Sequence, residues 1–104
     1  MYKARFLSNA EKQLIKLTKK NKPLAREFQK CIQEIRQNPF REAKVGDMQG
    51  VWGHGFRFHG VDYRIAYIID KNLLYIFIIG VGTHEGFWQE IKNYWNKHLK
   101  NEMK

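Results

Sequence analysis

A single cysteine, Cys31, leaves this 104-residue chain with no internal disulfide to form. The four histidines, His54, His59, His84 and His98, contain no HxxxH pair, and no Cys/His cluster has zinc spacing, so neither a structural metal nor a cofactor is expected. Long apolar runs are also missing. The longest, Leu73 to Val81, has the length of a strand rather than the roughly 18 residues of a membrane span. The opening stretch "MYKARFLSNAEKQ" lacks the apolar core and small-residue cleavage site of a secretory signal, which places the expected location in the cytoplasm with no membrane partner. No phosphate-binding glycine loop, GxSxG, HExxH or paired-carboxylate motif is present. Acidic residues are scarce too: 10 Asp and Glu stand against 19 Lys and Arg.

That imbalance, a formal charge of +9, favours a polyanionic partner. Hydrophobic residues make up 43% and aromatics 14%, which excludes a disordered tail and supports a packed core with aromatics to spare. The length suits one domain, residues 1–104, with no repeat, linker or low-complexity segment dividing it.

Residues 2 to 7, "YKARFL", alternate as a strand, and Ser8 with Glu11 three residues on has the spacing of a capping box opening a helix. Ala10, Leu14 and Leu17 form the apolar stripe of that helix, leaving Lys12, Lys16, Lys19 and Lys20 outside it. Asn21-Lys22-Pro23 breaks the pattern, and Pro23 suits the first turn of a second helix with Leu24, Phe28, Ile32 and Ile35 on its apolar face. Cys31 reads as a core or boundary residue of this helix. Asn38-Pro39 ends it, and residues 38 to 50 lack any period and read as a loop.

Three strands follow, at about 51 to 58, 61 to 70 and 73 to 81. His59-Gly60 and Lys71-Asn72 read as two-residue hairpin connections, making the three antiparallel neighbours. Continuous apolarity in the last implies burial on both faces and a central position. Residues 84 to 100 close the chain as a helix with Phe87, Ile91, Tyr94 or Trp95, and Leu99 on one side. The order is βααβββα, an α+β fold with a two-helix hairpin packed on a small, mainly antiparallel four-stranded sheet and a C-terminal helix.

Alternation places Asp62, Arg64, Ala66 and Ile68 on one face of the strand from Val61. Arg64 in mid-strand reads as an ion pair with Asp62 or a neighbouring strand, as an edge-facing side chain that snorkels, or as one of two arginines, with Arg57, that converge on a phosphate. His84, where the central strand hands over to the last helix, reads as a solvated turn residue or as a general acid or base. Glu85 beside it complements the helix dipole. Trp88 is read as core or as a stacking surface for a base. Lys44, in the loop before the sheet, offers a further phosphate contact, while His54 and His59 read as surface residues.

The arrangement βααβββ, with "DMQGVWGHGFRFHGVDYRIAYIID" followed by "LLYIFIIGVGTHEGFW", resembles the RelE/ParE superfamily of type II toxin-antitoxin toxins, on its RelE/HigB-like side, over nearly the whole chain. The resemblance implies either a RelE-like, metal-independent endoribonuclease that cuts mRNA on the ribosome, or a ParE-like inhibitor of DNA gyrase without nuclease chemistry. A non-toxic RNA-binding relative is a third possibility. In the RelE-like enzymes the RNA's own 2′-hydroxyl attacks the adjacent phosphate. Arg57 and Arg64 stand where the family carries phosphate-stabilising basic residues, and His84 where relatives have arginine or histidine. Trp88 falls near a family tyrosine, but indole cannot donate a proton as a phenol can, so its implied role is stacking. Keeping Arg57, Arg64 and His84 together favours RNA cleavage, with a cognate antitoxin, the ribosome and mRNA as partners.

Overall fold

A computed structural model describes residues 1–41, 43–44, 50–83 and 86–99, excluding the side chains of 43, 44 and 99. In chain order the elements are β1 (Lys3–Phe6), α1 (Ser8–Thr18), α2 (Lys22–Gln37), β2 (Ala43–Lys44), β3 (Val51–Phe58), β4 (Val61–Asp70), β5 (Tyr75–Thr83) and α3 (Phe87–Tyr94). A π-helical turn, Trp95–Leu99, extends α3. The strands form one sheet in the order β1-β5-β4-β3-β2, antiparallel except for the parallel pair β1 and β5. This is the expected α+β fold, with β2 a two-residue addition inside the segment read as loop. Among the described residues no helix is long and apolar enough to cross a membrane.

Strand alternation divides the sheet into two packed faces. On one, Tyr63, Ile65 and Tyr67 of β4 and Ile76, Ile78 and Val81 of β5 pack under Leu24, Phe28, Ile32 and Ile35 of α2 and Ala10 of α1. Phe28 sets its ring edge-on to Phe56 at 4.9 Å and to Tyr63 at 5.6 Å, a geometry that aligns ring edges with ring faces. On the other face, Val51, Ala66, Ile68 and Ile79 pack against Phe87 and Ile91 of α3. β5 contributes to both cores. A bulge between Gly80 and Ile78, opposite Ala66 and Tyr67, puts Ile79 and Gly80 in succession on the α3 side.

Three polar contacts tie the helices to the sheet. β1 ends at Phe6, and beyond it Val81 of β5, on the edge that does not face β4, donates its N–H to Gln13 Oε1 of α1 at 2.9 Å. At the other end of the hairpin the Tyr2 N–H donates to the Arg36 carbonyl at 3.0 Å while Arg36 Nε donates back to the Tyr2 carbonyl at 2.8 Å. The buried Tyr67 hydroxyl donates to the Pro39 carbonyl at 2.7 Å, fixing the chain as it leaves α2.

Local details correct the sequence reading in four places. Helix α1 begins at Ser8 as expected, but its cap is Leu7 and no side chain caps it. Leu7 is still extended, donating its N–H to Ile78, so Ser8 lies one residue too far into the helix to form the box with Glu11. The β4–β5 connection spans residues 71 to 74 rather than two residues, because Asp70 accepts hydrogen bonds from the Asn72 and Leu73 amides, each at 3.0 Å. Leu74 leaves that turn at φ 59°, held by a 2.9 Å bond from the Lys3 N–H to its carbonyl, and β5 starts at Tyr75. His54 is buried, 7% exposed, since it shares the helix-side face of β3 with Trp52 and Phe56, opposite Ile65. The expected His59-Gly60 connection is present, with φ of 49° and 80° at its two residues, as a tight hairpin requires.

Truncating Phe28 to alanine should lower unfolding free energy by about 3–5 kcal/mol in denaturant titrations. Gln13→Ala, which leaves the Val81 amide short of its acceptor, should cost about 1–3 kcal/mol.

Candidate functional site

The face of the sheet beneath α3 carries both candidate arginines. Its residues are Gly53, Gly55 and Arg57 on β3, Asp62, Arg64 and Ala66 on β4, and Gly80 and Gly82 on β5, by the register Gly53↔Ala66↔Gly80, Gly55↔Arg64↔Gly82 and Arg57↔Asp62. The helix-side face is filled by large side chains. This face is left shallow where four glycines surround one arginine.

Arg57 and Arg64 are diagonal neighbours across the β3–β4 ladder, about 7–8 Å apart by sheet geometry, within the span of one bridging phosphate. Arg57 is exposed and donates through Nη1 to both Asp62 oxygens, at 3.2 and 3.4 Å. The ion pair with Asp62 that spacing offered to Arg64 is therefore made by Arg57. Arg64 is half-buried, and its side chain lies over Gly55.

On the β5 side, Phe87 occupies the space over Gly82: a Cβ at that position would approach Phe87 Cδ1 to 2.8 Å. Gly80 does the same for Ile91. These two glycines let α3 settle close to the sheet, so its first turn, opened by Gly86 at φ 71°, begins beside the arginine row. Trp88 follows Phe87 and meets its ring edge-on at 4.8 Å. It is half-buried against the α3 core, which makes it part core and part surface.

Of the remaining candidates, Lys44 sits on β2 opposite Trp52, with its side chain outside the described residues. His84 and Glu85 lie outside the described residues altogether, in the step between Thr83 and Gly86. The site thus brings Arg57, Arg64 and Trp88 to one face. What sequence reasoning missed is the glycine pattern. Gly53-x-Gly55 and Gly80-x-Gly82 repeat at the strand period, the signature of a face that something approaches closely. A cleft of about 450 Å³ opens on the opposite, helical side, lined by Phe6, Leu14, Phe28, Gln29, Ile32 and Gln33. Its lining carries no titratable group and no cation, so it offers a phosphate no opposing charge.

The family model for ParE-like toxins of type II bacterial toxin-antitoxin systems matches residues 6–92, a span that includes both arginines and the start of α3. The chain belongs to this family. The toxin fold agrees with solved structures. An E. coli RelBE toxin-antitoxin complex is 26% identical, with a TM-score of 0.68 over 82% of this chain and 99% of the other. A doubly substituted E. coli RelE in the free state shares the fold at TM-score 0.71 and 22% identity, covering 94% and 97% of the two chains. The RelBE2 toxin-antitoxin complex of Mycobacterium tuberculosis is 25% identical, with a TM-score of 0.62 over 80% and 98%. No curated protein matches the toxin by sequence.

Because the Arg57–Asp62 pair is largely solvent-exposed, Asp62→Asn should change the unfolding free energy of the toxin by less than about 1 kcal/mol. Chemical denaturation checks this, and a larger loss would mean that the pair has a structural role.

Proposed function

We propose that this toxin is a ribosome-dependent mRNA endonuclease of the RelE type that acts in the cytoplasm and uses the RNA 2′-hydroxyl as its nucleophile, with no metal. The supporting observation is the pairing of Arg57 and Arg64 on a glycine-lined sheet face of a chain carrying +9. As the 2′-oxygen bonds to phosphorus and the bond to the 5′-oxygen breaks, negative charge builds on the non-bridging oxygens. Two guanidiniums, charged at any working pH and offering planar pairs of N–H donors, are suited to bind that charge. The proton leaving the 2′-hydroxyl and the proton reaching the 5′-oxygen need an acid–base group, and His84 is assigned that role by its place in the chain. Glu85 serves the helix dipole or assists proton transfer. Trp88 provides a stacking surface and Lys44 a backbone phosphate contact. A cognate antitoxin is the partner that silences the toxin, as the RelE relatives occur in complexes with RelB-type proteins.

Purified toxin added to a translating extract should cut mRNA within codons in the reading frame, with no metal supplied beyond the magnesium that translation requires. Arg64→Lys, which keeps the charge but removes the planar fork, should slow cleavage roughly 10²-fold. Intact mRNA together with blocked DNA supercoiling by gyrase would replace this reading with that of a gyrase inhibitor.

A further inference from the structure

A glycine in the middle of a strand weakens it, because glycine loses more backbone entropy than alanine and packs no side chain. Gly55 lies in the interior of β3, outside the positive-φ region, so its backbone would accept any L-residue. What sets position 55 apart is what a side chain there would strike. The three atoms nearest to a Cβ at position 55 all belong to Arg64: Nη1, which it would overlap, Cζ at 3.0 Å and Cδ at 3.4 Å. Arg64 has glycine as its register partner on both sides, but the two spaces differ. Over Gly82 the room is taken by the Phe87 ring, whereas over Gly55 it is taken by Arg64 itself.

We propose that Gly55 is a positioning residue: the space left by its missing side chain is the slot that holds the Arg64 guanidinium flat across β3, beside Arg57, in the orientation that engages phosphate. This rests on the reading of Arg64 as a phosphate ligand. On the other side the Phe87 ring fills the space over Gly82, the register partner of Arg64 on β5. A methyl group at position 55 would displace the guanidinium, the far end of a flexible side chain, while leaving the strand intact.

The test is Gly55→Ala in the full chain, compared with Arg64→Ala and the double variant. It uses thermal melting, a crystal structure of Gly55→Ala, and single-turnover mRNA cleavage on programmed ribosomes. The melting temperature should stay unchanged or rise by a few degrees. The guanidinium should move while the β3 backbone superposes, and cleavage should fall about 10²-fold, the effect of misplacing a catalytic group by roughly an ångström. In the Arg64→Ala background the added methyl should cause no further loss. Slow cleavage by Arg64→Ala with parental cleavage by Gly55→Ala would overturn the proposal and leave the role of Arg64 standing. Parental cleavage by Arg64→Ala would instead overturn the reading of Arg64, and the proposal with it. An unmoved guanidinium, or a Gly55→Ala chain that does not fold, would also overturn the slot, since displacing a flexible side-chain end cannot unfold a sheet.

Discussion

β5 is covered on both faces and hydrogen-bonded along both edges, and the other elements take their places from it. Its parallel partner β1 delivers the chain into α1, and its antiparallel partner β4 carries Arg64. Ile76, Ile78 and Val81 hold the helical hairpin, while Ile79 holds α3. A strand can supply both cores only if it is apolar at nearly every position, and the run "YIFIIGV" meets that demand. The bulge at Ile79 is what lets two consecutive residues, Ile79 and Gly80, face α3, with Gly82 following on the same side.

The two faces of the sheet are built on opposite rules. Beneath the hairpin the volume is filled by aromatic and branched side chains, and Tyr67, Phe28 and Ile65 are completely buried. Beneath the start of α3 the strands are stripped to glycine around one arginine, so a charged side chain lies against backbone instead of competing with apolar neighbours for room. Arg57 is held from the side by Asp62, in solvent, where such a bond is weak. The paired guanidiniums therefore differ in character: one is loosely tethered and exposed, the other half-buried and confined.

The bounds of β3 and β4, the face shared by Asp62, Arg64, Ala66 and Ile68, and the apolar face of α2 were all legible in the sequence. Each rests on a long, uninterrupted period that tertiary packing reinforces. Features set by a single side chain were harder to read. The Ser8 cap failed because β1 runs on through Leu7, and the β4–β5 turn lengthened because the Asp70 carboxylate captured two amides. His54 looked like a surface residue until the register put it opposite Ile65. Spacing along one strand offered Asp62 to Arg64 as one possible partner, whereas Asp62 pairs with Arg57, its register partner on the strand opposite. The glycines escaped notice because an absent side chain has meaning only when its neighbours are known.

Where β1 stops, β5 would present a bare run of amides and carbonyls, the kind of margin along which another polypeptide can pair and begin an aggregate. At Val81 Gln13 acts as a substitute backbone, receiving the amide as a neighbouring carbonyl would. One side chain from a helix thus stands at the point where a second copy of the strand would otherwise find its first free donor beyond β1.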